Sequence, residues 1–192
     1  MLNGTGLSIR ACWFVDMGYV VGASERFKLD YVKAEALLRE AFGPVQTYLF
    51  NGFDPQYGIT PGLKGFYDAM RARGMVVRLY PMSSGNGPGD NRQRGVDVDI
   101  GSHMVWQASR GEIETLILTS GDRDLVPAVE IVRQAFNKPV MLFTYPRSVS
   151  RDLVAISTDW WKFDQYEERL SRSKRTGNLP ALESIEEPPS AV

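Results

Sequence analysis

Two carboxylates stand two positions apart in Ser120-Gly121-Asp122-Arg123-Asp124, directly after the apolar run Thr115–Thr119. A second pair, Asp97 and Asp99, opens the segment that leads into that run, and Asp16 closes the apolar stretch Leu7–Asp16. Carboxylates held a few ångströms apart repel one another and push one pKa upward unless a cation joins them. With one cysteine and one histidine in 192 residues, the donor set is oxygen only, which suits Mg²⁺ or Mn²⁺ rather than Zn²⁺. The matching chemistry is metal-assisted phosphodiester hydrolysis, in which bound metal activates water and stabilises charge on the phosphate. Each acid also has an ordinary structural use. Asp122 and Asp124 suit a turn or helix N-cap, Asp97 and Asp99 suit the positive end of a helix, and Asp16 suits a turn.

Chemistry at these acids requires a scaffold that gathers them. Strand-like runs are read at Leu7–Asp16, Val45–Asn51, Met75–Pro81, Thr115–Thr119 and Pro139–Tyr145, with Trp160-Trp161-Lys162-Phe163-Asp164 as an added edge strand. Between them fall helical periodicities over Asp30–Phe42, Gly62–Gly74, Val96–Gly111 and Pro127–Phe136, and a further helix within Ser148–Ile156. Ser83–Gly95, rich in Gly, Asn, Asp and Ser, reads as a loop. Alternating strands and helices predict a three-layer α/β fold, an open parallel sheet of five or six strands with helices on both faces. Such sheets bind ligands beyond the carboxyl ends of their strands, where strand order reverses. If the first and fourth strands are neighbours there, Asp16, Asp97, Asp99, Asp122 and Asp124 converge on one crevice.

The chain is 43% hydrophobic with a formal net charge of -1, enough for one core and without a bulk pull toward polyanions. Residues 1–170 are read as one domain and 171–192, polar and proline-bearing, as a flexible tail. Cys12 lies within an apolar run and reads as a buried, inert thiol. No membrane-spanning stretch is present, and Met1–Arg10 lacks the basic start and apolar run of a secretory signal, so a cytoplasmic location and no membrane partner are expected.

The segment Arg94–Leu142, taken with Phe14-Val15-Asp16-Met17-Gly18, resembles the NYN domains of the PIN-like nuclease superfamily, in particular their LabA-like bacterial subgroup. That pattern places an Asp after strand one, Lys-Gly-Val-Asp at a helix start, and Ser-Gly-Asp-x-Asp-Phe followed by Val-Pro after strand four. Here the corresponding residues are Asp16, then Arg94-Gly95-Val96-Asp97, then Ser120–Leu125 with Val126-Pro127. The likeness extends from about Ile9 to Phe163. It implies a PIN-like sheet of order 3-2-1-4-5 and a Mg²⁺- or Mn²⁺-dependent endoribonuclease. The implied catalytic and metal-binding acids are Asp16, Asp97, Asp122 and Asp124, with Asp99 as a further candidate. Two positions depart from the pattern: Tyr19 stands where Asn is common, and His103 where many members carry another Asp. Both are expected to back the acids rather than to ligate, and Asp99, one turn before His103, either substitutes for the missing acid or pairs with the histidine.

A near-neutral nuclease needs local cations. Arg94 and Arg123 are the first candidates for RNA phosphates, followed by Arg92 and Arg147; Lys64, Arg71, Arg73 and Arg151 are further basic residues near the same edge. Tyr19, Tyr57 and Tyr145 are the aromatics considered for base stacking. Single-stranded RNA is expected over duplex. The alternative is a catalytically weakened NYN domain serving as a regulatory or RNA-binding module, with a homodimer as one form of it. A dehalogenase-type phosphatase would want Asp-x-Asp after strand one, where Asp16-Met17-Gly18 stands instead.

Overall fold

The computed structural model describes residues 9–24, 27–84, 91–92 and 95–172. Six strands form one sheet: β1 (Ala11–Asp16), β2 (Val45–Phe53), β3 (Val76–Pro81), β4 (Thr115–Thr119), β5 (Val140–Thr144) and β6 (Asp159–Lys162). Every neighbouring pair is parallel, in the order β3-β2-β1-β4-β5-β6. The expected order is thus observed, with the edge strand added beside β5. A two-residue antiparallel ladder joins Ser83–Ser84 to Asn91–Arg92 within the stretch read as a loop.

The helices are α1 (Met17–Ala23), α2 (Tyr31–Phe42), α3 (Pro61–Ala72), α4 (Val96–Ser109), α5 (Val126–Ala135), α6 (Arg151–Ile156) and α7 (Glu167–Leu170). Strand alternation sends Trp13 and Val15 to one face and Cys12 and Phe14 to the other. α1, α2, α3 and α7 cover the first face; α4, α5 and α6 cover the second. All six residues of β1 are buried, because strands flank it on both sides and helices cover both faces. Core side chains such as Leu38 and Leu116 are fully enclosed, so truncating either to Ala is expected to cost about 2–5 kcal/mol.

Local chemistry explains the boundaries. Asp30 caps α2 by accepting the Val32 and Lys33 N–H groups, and Gly43 ends the helix at φ 76°. Thr60 caps α3, and Ser150 caps α6. Between β4 and α5 a 3₁₀ turn, Arg123–Leu125, intervenes. α1 has no counterpart in the sequence reading. Its seven residues follow β1 without a linker, and the acid that ends the strand is also the cap that starts the helix. No helix among the described residues is long and apolar enough to cross a membrane. Arg94 and residues 173–192 of the expected tail lie outside the described residues.

Candidate active site

Asp16 ends β1 at the central reversal of the sheet and caps α1. Its Oδ1 accepts the Tyr19 N–H at 3.0 Å and its Oδ2 accepts the Ser120 hydroxyl at 3.2 Å. Burial raises its pKa, the backbone N–H of Tyr19 and the Ser120 hydroxyl pull it down, and the nearby Asp122 charge pushes it up again. β4 delivers the second group of acids. Asp122 caps the 3₁₀ turn, its Oδ1 accepting the Asp124 N–H at 2.9 Å, so the turn role and proximity to the other acids coexist in one residue.

Asp97 arrives from a third segment, the first turn of α4. That helix opens at Gly95 (φ 102°) with no side-chain cap, leaving its dipole to the acids behind it. Asp97 is half-buried, and its pKa is pushed up to about 6, first by burial and then by the charges of Asp122, Asp16 and Asp124. Four acids from three segments therefore share one electrostatic neighbourhood. They are not drawn into a ready-made cage: among the described residues no three His, Cys, Asp or Glu side chains form a group able to hold one metal ion. Oxygen-only donors under mutual repulsion still fit a hard divalent ion that retains several waters and takes only one or two carboxylates directly.

Asp99 is placed elsewhere. It projects toward β3, where Arg78 grips it with Nε to Oδ2 at 2.5 Å and Nη2 to Oδ1 at 3.2 Å. His103 Nδ1 lies 3.1 Å from Asp99 Oδ1, so Asp99 pairs with the histidine rather than joining the other acids. The imidazole packs among Tyr48, Phe50 and Trp106. Tyr19 does border the acids. Its ring lies against Gly121, and its hydroxyl donates to the Tyr145 carbonyl at 3.3 Å while accepting the Tyr145 N–H at 3.1 Å. A Cβ on Gly121 would sit 1.9 Å from the Ser148 carbonyl oxygen and 2.7 Å from the Tyr19 ring, so this position of the acidic loop admits only glycine.

Of the cations, Arg123 turns to Asp152 at 2.7 Å, an exposed pair. Arg147 is exposed on the turn after β5, and Arg92 lies in the two-residue ladder. Lys64 and Arg71 are both occupied by Asp68 on α3. Tyr145 is buried, with its hydroxyl on the Phe27 carbonyl, and offers no stacking face, whereas Tyr57 is exposed. Cys12 is fully buried and its thiol pKa is pushed up to about 12 by that burial, as an inert thiol requires.

Ser120 and Thr119 had no assigned role in the sequence reading. Thr119 accepts from the Trp13 indole at 2.8 Å and donates to the Phe143 carbonyl at 2.7 Å, tying β1, β4 and β5 together beneath the acids. The quoted Ser-Gly-Asp motif contained the signal for Ser120, but its bond to an acid 104 residues away is visible only in three dimensions.

A six-stranded parallel sheet of this order, with acids gathered at the central reversal, defines a PIN-like α/β fold. The NYN domain family matches residues 10–161, and the chain belongs to that family. Among solved structures it is similar to a protein of unknown function from Vibrio parahaemolyticus RIMD 2210633, at a TM-score of 0.69 and 21% identity over 86% of this chain and 97% of that one. No protein of curated function matches the chain.

Proposed function

We propose that this NYN domain is a Mg²⁺- or Mn²⁺-dependent endoribonuclease of the LabA-like type, hydrolysing phosphodiester bonds of single-stranded RNA. The observation that carries the reading is the meeting of four acids from three segments at one sheet edge: Ser120 bridges Asp16 and the Asp122 loop, and the charges of Asp122, Asp16 and Asp124 act on Asp97. Such a repulsive arrangement is costly to the fold and is relieved by a bound cation.

When bound, the metal would supply an activated water and neutralise charge on the scissile phosphate. One or two of Asp16, Asp97, Asp122 and Asp124 would hold it directly, and the others through the waters it retains. Ser120 fixes the Asp16 carboxylate in place, and the Asp122 cap on the Asp124 N–H sets the turn that presents both acids. Arg147 and Arg123 would meet flanking phosphates, the latter after leaving Asp152.

The test is cleavage of labelled single-stranded RNA with Mn²⁺ by the wild type, Asp16→Asn and Asp122→Asn proteins. Loss of cleavage in both variants supports the enzyme. A weakened, RNA-binding NYN module is the second reading, favoured by the locked Tyr19 hydroxyl and by the withdrawal of Asp99 and His103 from the acids. RNA binding by wild type without cleavage would favour that module.

A further inference from the structure

The proposed activity uses the acids but not the surface that adjoins two of them. A groove of 820 Å³ runs between α4 and α5, with Asp97 and Asp124 in its lining together with Val98, Trp106 and Ile131. Val98, Trp106 and Ile131 are 73%, 55% and 46% exposed, three of the six exposed large hydrophobic side chains among the described residues. The floor is low because α4 and α5 approach closely: a Cβ on Gly101 would meet the Ala128 Cβ at 3.2 Å. Next to Trp106, the Arg110 guanidinium lies 5.9 Å from the indole centroid, held by Glu112 at 2.6 Å.

We propose that this groove is a nucleobase subsite, in which an unpaired base a few nucleotides from the scissile phosphate stacks on Trp106. The inference rests on the nuclease reading. Three features select this occupant. The groove is continuous with the acid cluster through Asp97 and Asp124. Nine helical steps lead from Asp97 to Trp106, about 13.5 Å of rise and half a turn about the helix axis, which is a span of a few unpaired nucleotides. Among the described residues the lining carries two carboxylates and no cation, so it favours the uncharged face of a base over the phosphate backbone. Arg110 then stands where the next phosphate emerges, and aromatic rings stack on any base without sequence preference.

The test compares wild type, Trp106→Ala and Trp106→Phe in the full chain, on a short unstructured oligoribonucleotide and on the same strand with abasic residues flanking the cleavage position. Trp106→Ala is expected to raise KM and Kd about tenfold, with kcat at saturation nearly unchanged. Trp106→Phe should recover most of the loss, and the abasic strand should bind wild type and Trp106→Ala equally weakly. Melting curves confirm that each variant is folded. Unchanged KM in Trp106→Ala, with RNA still cleaved, overturns the subsite and leaves the nuclease reading intact. If wild type neither cleaves nor binds RNA with Mn²⁺, both fall. A wild-type dimer that Trp106→Ala converts to monomer would make the groove an interface between copies and also overturn the proposal.

Discussion

The Ser120 hydroxyl joins Asp16 to Asp122, donating to Asp16 Oδ2 at 3.2 Å and accepting the Asp122 backbone N–H at 3.2 Å. One side chain thus couples the carboxylate that ends β1 to the loop that leaves β4. Ser120→Ala removes a hydrogen bond that holds the Asp16 pKa down. The variant is expected to lose about 1 kcal/mol of stability and to start cleaving RNA at higher pH than wild type. A pH–rate series with parallel metal titrations checks this; an unmoved onset would show that Ser120 does not tune Asp16.

Asp97 gives the metal-free protein a definite pH dependence. Its pKa rises from 3.8 to about 6 on folding. Between those values the folded protein keeps a proton that the unfolded chain has lost, so stability falls as pH rises through the window and the loss is complete above it. Asp16, also raised, acts with the same sign. Asp97→Asn is therefore expected to flatten the dependence in part and to raise the melting temperature at pH 7 without metal. Mg²⁺ should stabilise wild type at pH 7 more than the variant. Thermal melts from pH 4 to 7, with and without Mg²⁺, measure both effects, and a stability difference between Asp97→Asn and wild type that does not grow through this range would contradict the assignment.

Gly121→Ala places a methyl group against the Ser148 carbonyl oxygen, a backbone atom that cannot rotate away, and against the Tyr19 ring. The expected cost is about 3 kcal/mol or more, at or beyond the upper end for overpacking. RNA cleavage should be lost even where the variant remains folded, because the displaced loop carries Asp122. Urea denaturation and an activity assay below the melting point separate the two consequences.

Asp99 and Asp97 lie two residues apart and should behave oppositely. Asp99 is engaged by Arg78 and His103, so Asp99→Asn should leave most of the cleavage activity, whereas Asp97→Asn should abolish it. Arg78→Ala should cost about 1 kcal/mol of stability, since the guanidinium is partly exposed. If Asp99→Asn silences the protein as fully as Asp97→Asn, the separation of the two acids is wrong.

The alternation of strands and helices was legible because it depends on local patterns, whereas the sheet order, and with it the meeting of Asp16, Asp97, Asp122 and Asp124 at one edge, was implied by the resemblance to NYN domains. Apolar runs of strand length alternate with helical periodicities, and each acid stands where one ends or begins. Asp30, the first residue of its helical periodicity, likewise stands where a cap belongs. α1 was not legible, because Met17–Ala23 is short and its cap doubles as the end of a strand. The fate of Asp99 was open because its partner Arg78 lies 21 residues away on β3, and helical spacing alone predicts a neighbour on the same helix, His103, without revealing the cross-element pair. Arg123 flanks two acids in sequence yet reaches to Asp152 on α6, a choice set by the direction of the 3₁₀ turn. The groove beside Trp106 required the α4–α5 packing to be seen at all.

Because Asp16 is at once the final residue of the innermost strand and the cap of the following helix, no hinge separates the acid edge from the middle of the sheet. Amide hydrogens at Val15 and Asp16 should exchange with solvent only when the whole domain opens. The Asp16 carboxylate is therefore anchored as firmly as the middle of the sheet, and under the proposed function any adaptation to different RNA strands would fall to the surrounding loops and to side chains such as Trp106.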